Sequence, residues 1–249
     1  MSAAFKTKML SKEEIEGILH DPFKKYLYGN VLPSRIDPGL DAGKRAKLCV
    51  FSLVSANTTF AVATAAWKML MDNWGNWESP EEIVETLKEN KCCSVNIASH
   101  GKKGLILLQS LVKDDPGFFF RNPSETHETW ATRIADTIPG LGYVKSIFAV
   151  CLMEPLKTDL GCPDRHMLRI LVPLWESKNG NNLESYLTQK NNSSTTLPRA
   201  ACKGAITELQ QLAAKFQWQP FPLQWALWDE ARGCLEDHSA LTAIHEGVQ

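Results

Sequence analysis

Two glycines separated by one apolar residue, Gly140-Leu141-Gly142, follow Ile138-Pro139 and precede Tyr143-Val144-Lys145. A turn without Cβ atoms lets its backbone amides come up to an anion. The phosphate of a DNA strand is the natural ligand of such amides. G-x-G turns also join helices that bind nothing, so the turn alone leaves both readings open. Further on, Cys162-Pro163-Asp164-Arg165-His166-Met167 sets a carboxylate after a proline, just ahead of the apolar residues Met167, Leu168, Ile170 and Leu171. By residue type Asp164 is the cap of that helix. Arg165 and Arg169, and the pair Lys102 and Lys103 between Gly101 and Gly104, are either phosphate contacts or solvated charges.

The elements that must hold these residues read as helices. Ser11-Lys-Glu-Glu14 is a capping box for a first helix near 11–20, with Ile15, Ile18 and Leu19 as its apolar stripe. Gly29 to Gly43, rich in Pro and Gly, reads as a loop. A helix from Lys44 to about Ser55 then breaks at the polar run Ser55-Ala-Asn57-Thr-Thr59 and restarts through Phe60, Ala63, Trp67 and Leu70. Ser79-Pro-Glu-Glu82 is a second capping box, with Pro at the first helical position, where its missing donor costs nothing. Helices are further expected over Gly104 to Val112, around Trp130, Ile134 and Ala135, over Val144 to Met153, after Asp164, and near Ala200 to Phe216. Lys178 to Thr196 is the most polar stretch and reads as a surface excursion. Strand alternation and internal repeats are missing, so the sequence predicts an all-α protein.

Taken together, the apolar-Pro-Gly-apolar-Gly turn, the apolar helix after it, the short loop and Asp164-x-His166-apolar resemble the helix-hairpin-helix (HhH-GPD) DNA glycosylase superfamily. Phe51 to Thr59 is similar to that family's polar break between two helices, and the likeness spans roughly residues 44–175. It implies a two-lobed, all-α protein that rotates one nucleotide out of duplex DNA and cuts its N-glycosidic bond. In this reading Gly140, Gly142, Tyr143 and Val144 grip the backbone. His166 and Arg165 add phosphate contacts, and Asn57 fills the gap left in the stack. Asp164 stabilises the oxocarbenium character that develops as the base leaves. Lys145 is the candidate Schiff-base nucleophile, with water as the alternative. Counted forward from Gly142, Lys145 sits one place late and Val144 occupies the family's lysine slot. Counted back from Asp164, Lys145 is in register with the lysine of the 8-oxoguanine-type enzymes. The family also implies a structural monovalent cation at the hairpin carbonyls, with no other cofactor required.

The C-terminal block Trp218 to Arg232 holds three of the chain's eight tryptophans. Trp225 and Trp228 are either a stacking surface for an extruded base or successive-turn core residues of a terminal helix. The block departs from the familiar repair enzymes and suggests a divergent branch near the glycosylase-like proteins of viruses with hypermodified bases. Two rivals follow. One is an enzyme acting on bulky hypermodified bases, in viral modification or in host defence against it. The other is a hairpin module that binds DNA without catalysis.

The chain has 249 residues, 27 Lys and Arg against 28 Asp and Glu, and 44% hydrophobic residues. Near-zero net charge argues against a polycation that coats nucleic acid or membrane without specificity. Seven cysteines without C-x-x-C spacing fit a reducing, intracellular compartment, cytoplasmic or nuclear in a eukaryote. Only Cys202 and Cys234 fall near the C-terminus, which excludes the four-cysteine iron-sulfur loop of some relatives. No metal site is expected, since Cys234, His238 and His245 lack the paired spacing of zinc ligands. The stretch Leu48 to Trp67 is long enough to span a bilayer, but Ser52, Ser55, Asn57, Thr58, Thr59 and Thr64 point to protein interior instead. The expected organisation is an N-terminal segment 1–48 packed with a C-terminal lobe 152–249, around a central lobe 49–151. The expected protein is a monomer on double-stranded DNA carrying a modified base, with no membrane partner.

Overall fold

The computed structural model describes residues 8, 10–33, 39–56, 58, 60–164, 167–168, 170, 199–233 and 244. The polar excursion 178–196 and the residues Asn57, Arg165, His166 and Arg169 lie outside the described residues. Every regular element that is described is helical. The α-helices among them are, in chain order, α1 (Lys12–His20), α2 (Pro22–Tyr26), α3 (Ala42–Val54), α4 (Phe60–Asp72), α5 (Pro80–Glu89), α6 (Lys102–Asp114), α7 (His127–Thr137), α8 (Tyr143–Met153), α9 (Arg199–Lys215) and α10 (Pro220–Arg232). The all-α expectation holds for these residues. No helix among them is long and apolar enough to cross a membrane. The chain divides into two compact units, Met1–Arg35 with Glu154–Ala243 and Ile36–Met153 with Ile244–Gln249.

In the first unit, α1 starts with the expected box: Ser11 Oγ accepts from the Glu14 amide, and the Glu14 carboxylate accepts from the Ser11 amide at 2.8 Å. Its buried stripe is Ile15, Ile18 and Leu19, each contributing about 1.5–3 kcal/mol through burial. Helix α2 is not among those the sequence predicts. The structure forms one because Asp21 Oδ1 accepts from the amides of Phe23 and Lys24 and Pro22 occupies the first helical position. A π-helical turn, Leu27–Val31, continues it through part of the expected loop. α10 packs on α1, α2, this turn and α9. Tyr28 of the π-helical turn donates its hydroxyl to Asp229 Oδ2 of α10 at 2.9 Å, and just ahead of α10 the Trp218 indole N–H donates to Leu19 O of α1 at 3.1 Å.

The second unit is built around α8. From Ser146 to Met153 every residue is buried, so the helix has no polar face and must be enclosed. α7 and α3 pack against it, and α3 also meets α4 and α6. α3 begins at Asp41, whose carboxylate accepts from the Lys44 amide at 2.8 Å, so it starts earlier than the expected Lys44. Its end, Leu48 to Val54, is buried, with Phe51 edge-on to Trp67 of α4. At α5 the second box is only half formed. Ser79 Oγ accepts from the Glu82 amide, but the Glu82 carboxylate takes the amide of Glu78 instead of that of Ser79. α6 grows directly out of a π-helical turn, Ile97–Gly101, so helical structure begins before the expected Gly104.

Of the six described cysteines, Cys49, Cys92, Cys151, Cys162 and Cys202 are buried. Burial pushes the Cys49 thiol up to about 12 and the Cys202 thiol up to about 11, while Cys93 is only partly buried. Since the thiolate is the reactive form, native protein treated with iodoacetamide at pH 8 is expected to be labelled at Cys93 ahead of Cys49 and Cys202. Peptide mass spectrometry reads the order, and denaturation should equalise it.

Candidate functional site

The turn 138–142 joins α7 to α8 inside the second unit. The Ile138 amide closes α7 on Ile134 O at 2.9 Å. The Leu141 amide then returns to Ile138 O at 3.1 Å across Pro139 and Gly140. Gly140 sits at φ +86°, the left-handed region that a β-carbon disfavours. Gly142 O receives the amides of Lys145 and Ser146, both at 3.0 Å, and so starts α8.

This turn is seated on Gly101 and Gly104. Gly101 and Gly104 frame the basic pair Lys102 and Lys103, but their function in the fold is close approach. A β-carbon on Gly104 would lie 2.1 Å from Pro139 O, and one on Gly140 would lie 2.6 Å from the Cα of Gly101. The Asn96 side chain completes the seat, donating to Gly140 O at 3.2 Å and to Leu53 O at 3.4 Å. Lys102 meanwhile pairs with Glu81 at 3.0 Å, and Lys103 is exposed.

Gly142 differs from its neighbour. It is exposed, its φ is not positive, and a β-carbon there would touch nothing within 4 Å. Nothing in the described protein demands a glycine at that point. Tyr143 is half-buried and turns its hydroxyl back to Glu128 Oε1 at 2.8 Å, tying α8 to α7. Val144 is also half-buried.

Lys145, in the first turn of α8, donates from Nζ to Ser55 Oγ at 3.0 Å, while the Ser55 hydroxyl donates to Ser52 O at 2.8 Å. Its ammonium also lies 5.3 Å from the centre of the Phe148 ring. The amine is therefore carried to the start of the polar break between α3 and α4. Gly140, Gly142, Tyr143, Val144 and Lys145 thus share one local structure within the second unit.

Asp164 belongs to the first unit. Its Oδ1 accepts from the Met167 amide at 2.8 Å, and its own carbonyl accepts from Leu168 at 3.0 Å, which is helix-capping geometry. The side chain is half-buried. The strand of chain leading to it is pressed down, since a β-carbon on Gly161 would come within 2.1 Å of Leu209 Cδ2. In the same unit Trp225 is 2% exposed. Trp228 meets it edge-on at 4.9 Å and Phe221 at 5.9 Å. Trp228 is half-buried, with the Arg232 guanidinium 4.4 Å from its ring centre. Trp225 has the surroundings of a core residue.

No family model, curated protein or solved structure matches this chain.

The hairpin carbonyls can be tested as ligands for the monovalent cation that the resemblance implies. Ile138 O, Gly140 O and Gly142 O accept from Leu141, Asn96 and the Lys145–Ser146 amides, and Leu141 O accepts from Ser146 Oγ at 3.4 Å. Pro139 O faces Gly104. A carbonyl oxygen that accepts one such bond keeps a second lone pair, so the cation stays what the resemblance implies. Among the described residues no cluster of three or more His, Cys, Asp or Glu is placed to hold a metal ion.

Proposed function

We propose that the chain is a DNA glycosylase of the helix-hairpin-helix kind, acting on a modified or damaged base in duplex DNA. The observation that carries this reading is the contrast within the turn. Gly140 is glycine because the fold requires it, whereas Gly142 is glycine where the protein leaves open space. A group from outside that needs to reach the backbone gives Gly142 its reason, and a DNA phosphate suits the amides at the start of α8.

In the proposed reaction the extruded nucleoside loses its base with the glycosidic electron pair, and the base picks up a proton. The sugar is left with positive charge at C1′, which the Asp164 carboxylate stabilises. The bond to C1′ is then made by water, or by the Lys145 amine with subsequent loss of its proton. Trp225, enclosed as it is, takes no part in this reading, and the C-terminal block serves it as support. Bulky hypermodified bases remain within the substrate class.

The test is mass spectrometry of free bases released by the full-length protein from duplexes carrying oxidised, alkylated, deaminated or naturally hypermodified bases. Release of one class, with the others untouched, is the expected result. Binding to duplexes without release from any of them assigns a non-catalytic module instead. Sodium borohydride added to the productive reaction separates the nucleophiles. A covalent protein–DNA adduct that disappears in Lys145→Gln assigns the amine, and base release without an adduct assigns water.

A further inference from the structure

The glycosylase reading uses Asp164 and gives α10, the tryptophan-bearing helix in the same unit, only a supporting part. One residue there stands out chemically. Gln224 is a primary amide, 5% exposed, in a run from Phe221 to Leu227 that is otherwise apolar and wholly buried. An amide is kept in such a place only where its hydrogen bonds are met. Its Oε1 accepts from the backbone amide of Cys162 at 2.5 Å. The same oxygen would stand 3.1 Å from a β-carbon on Gly161, so the chain lies directly against it.

From that point to Asp164 the backbone has little freedom. Cys162 is 1% exposed, and its carbonyl accepts from the Asp164 amide at 2.9 Å across Pro163. Proline fixes its own φ, and the bond that spans it fixes the ψ. The Met167 amide then holds the carboxylate itself. The position of Gln224 is transmitted to the Asp164 carboxylate through one hydrogen bond, one ring-locked residue and one turn.

We propose that Gln224 is the positioning residue for Asp164: its buried carbonyl oxygen sets where the carboxylate stands relative to the sugar of an extruded nucleotide. This rests on the glycosylase reading. The terminal helix is then a template for the acid, and its tryptophans give that template rigidity. A misplacement on the order of 1 Å at a reacting group can cost about 10²-fold in rate.

The experiment compares full-length wild type, Gln224→Met and Gln224→Glu on the duplex from which wild type releases a base, under single-turnover conditions. Methionine conserves volume and removes the acceptor, whereas glutamate keeps an acceptor oxygen. The expected result is a loss of about 10- to 100-fold in the release rate for Gln224→Met. DNA affinity should stay within about twofold, and Gln224→Glu should recover most of the rate. A general loss of structure would lower affinity and rate together and would not be rescued by glutamate. A folded Gln224→Met protein with wild-type release overturns the inference while leaving the glycosylase reading in place. Wild type that releases no base from any duplex overturns both. Should Gln224→Met fail to fold, hydrogen exchange on wild type decides the matter. A slowly exchanging Cys162 amide is expected, and one that exchanges as fast as an open loop overturns the proposal.

Discussion

Replacing Asp164 by asparagine is expected to lower base release by about 10²–10³-fold, the cost usual for removing one preorganised electrostatic partner of a transition state. The substitution is informative because of what it leaves alone. The Asp164 side chain caps a helix through Oδ1 on the Met167 amide at 2.8 Å, and asparagine is as good an N-cap as aspartate. The capping bond, the Pro163 turn and the seat on Gln224 are therefore all kept. What disappears is one negative charge at a helix N-terminus, worth about 0.3–1 kcal/mol of stability. Thermal melting should thus move by a degree or a few, DNA affinity should hold, and only the chemical step should collapse. Quantifying released base in single-turnover reactions checks this. Unchanged release in a folded Asp164→Asn protein would reduce Asp164 to a helix cap and nothing more.

Local signals in the chain were enough to find most helices and some of their starts. Ser11 with Glu14, and the apolar stripe of Ile15, Ile18 and Leu19, need only neighbours a turn away, and the structure forms both. The turn at Ile138 to Gly142 was equally visible, since Pro and Gly stand between two apolar helices. Asp21-Pro22 is a helix start of the same local kind, cap and proline side by side. What local signals could not supply is the reason for a residue whose partner is distant in the chain. Gly101 and Gly104 invite a reading through the lysines between them, yet their meaning is the hairpin backbone lying on top. Gln224 looks like one polar residue in an apolar helix until Cys162 is found beside it. Trp225 and Trp228 were ambiguous for another reason. Helical spacing separates inside from outside only when one face is polar, and from Phe221 to Leu227 α10 has none.

The same contrast between near and distant causes makes the two hairpin glycines a paired experiment. Gly140→Ala is expected to cost about 2–5 kcal/mol, from a β-carbon at φ +86° and from its overlap with Gly101. The atoms it meets, Cα and N of Gly101 at 2.6 and 2.8 Å, are backbone, so no side chain can swing away to make room. The turn must lift off the π-helical turn that ends at Gly101, and Asn96 loses its acceptor on Gly140 O. DNA binding should fall with it. Gly142→Ala meets none of this, since its β-carbon would project into open space at an ordinary φ. Stability should change by less than about 0.5 kcal/mol. If a phosphate sits on the amides at the start of α8, however, the new methyl group stands between them. The loss of one charge-assisted hydrogen bond then weakens DNA binding by about 10- to 100-fold. Denaturant melts and a DNA titration at fixed salt, run on both variants, read the two effects separately. A Gly142→Ala protein that binds DNA as tightly as wild type would mean that no strand approaches the turn there, and the glycosylase reading would lose the observation on which it stands.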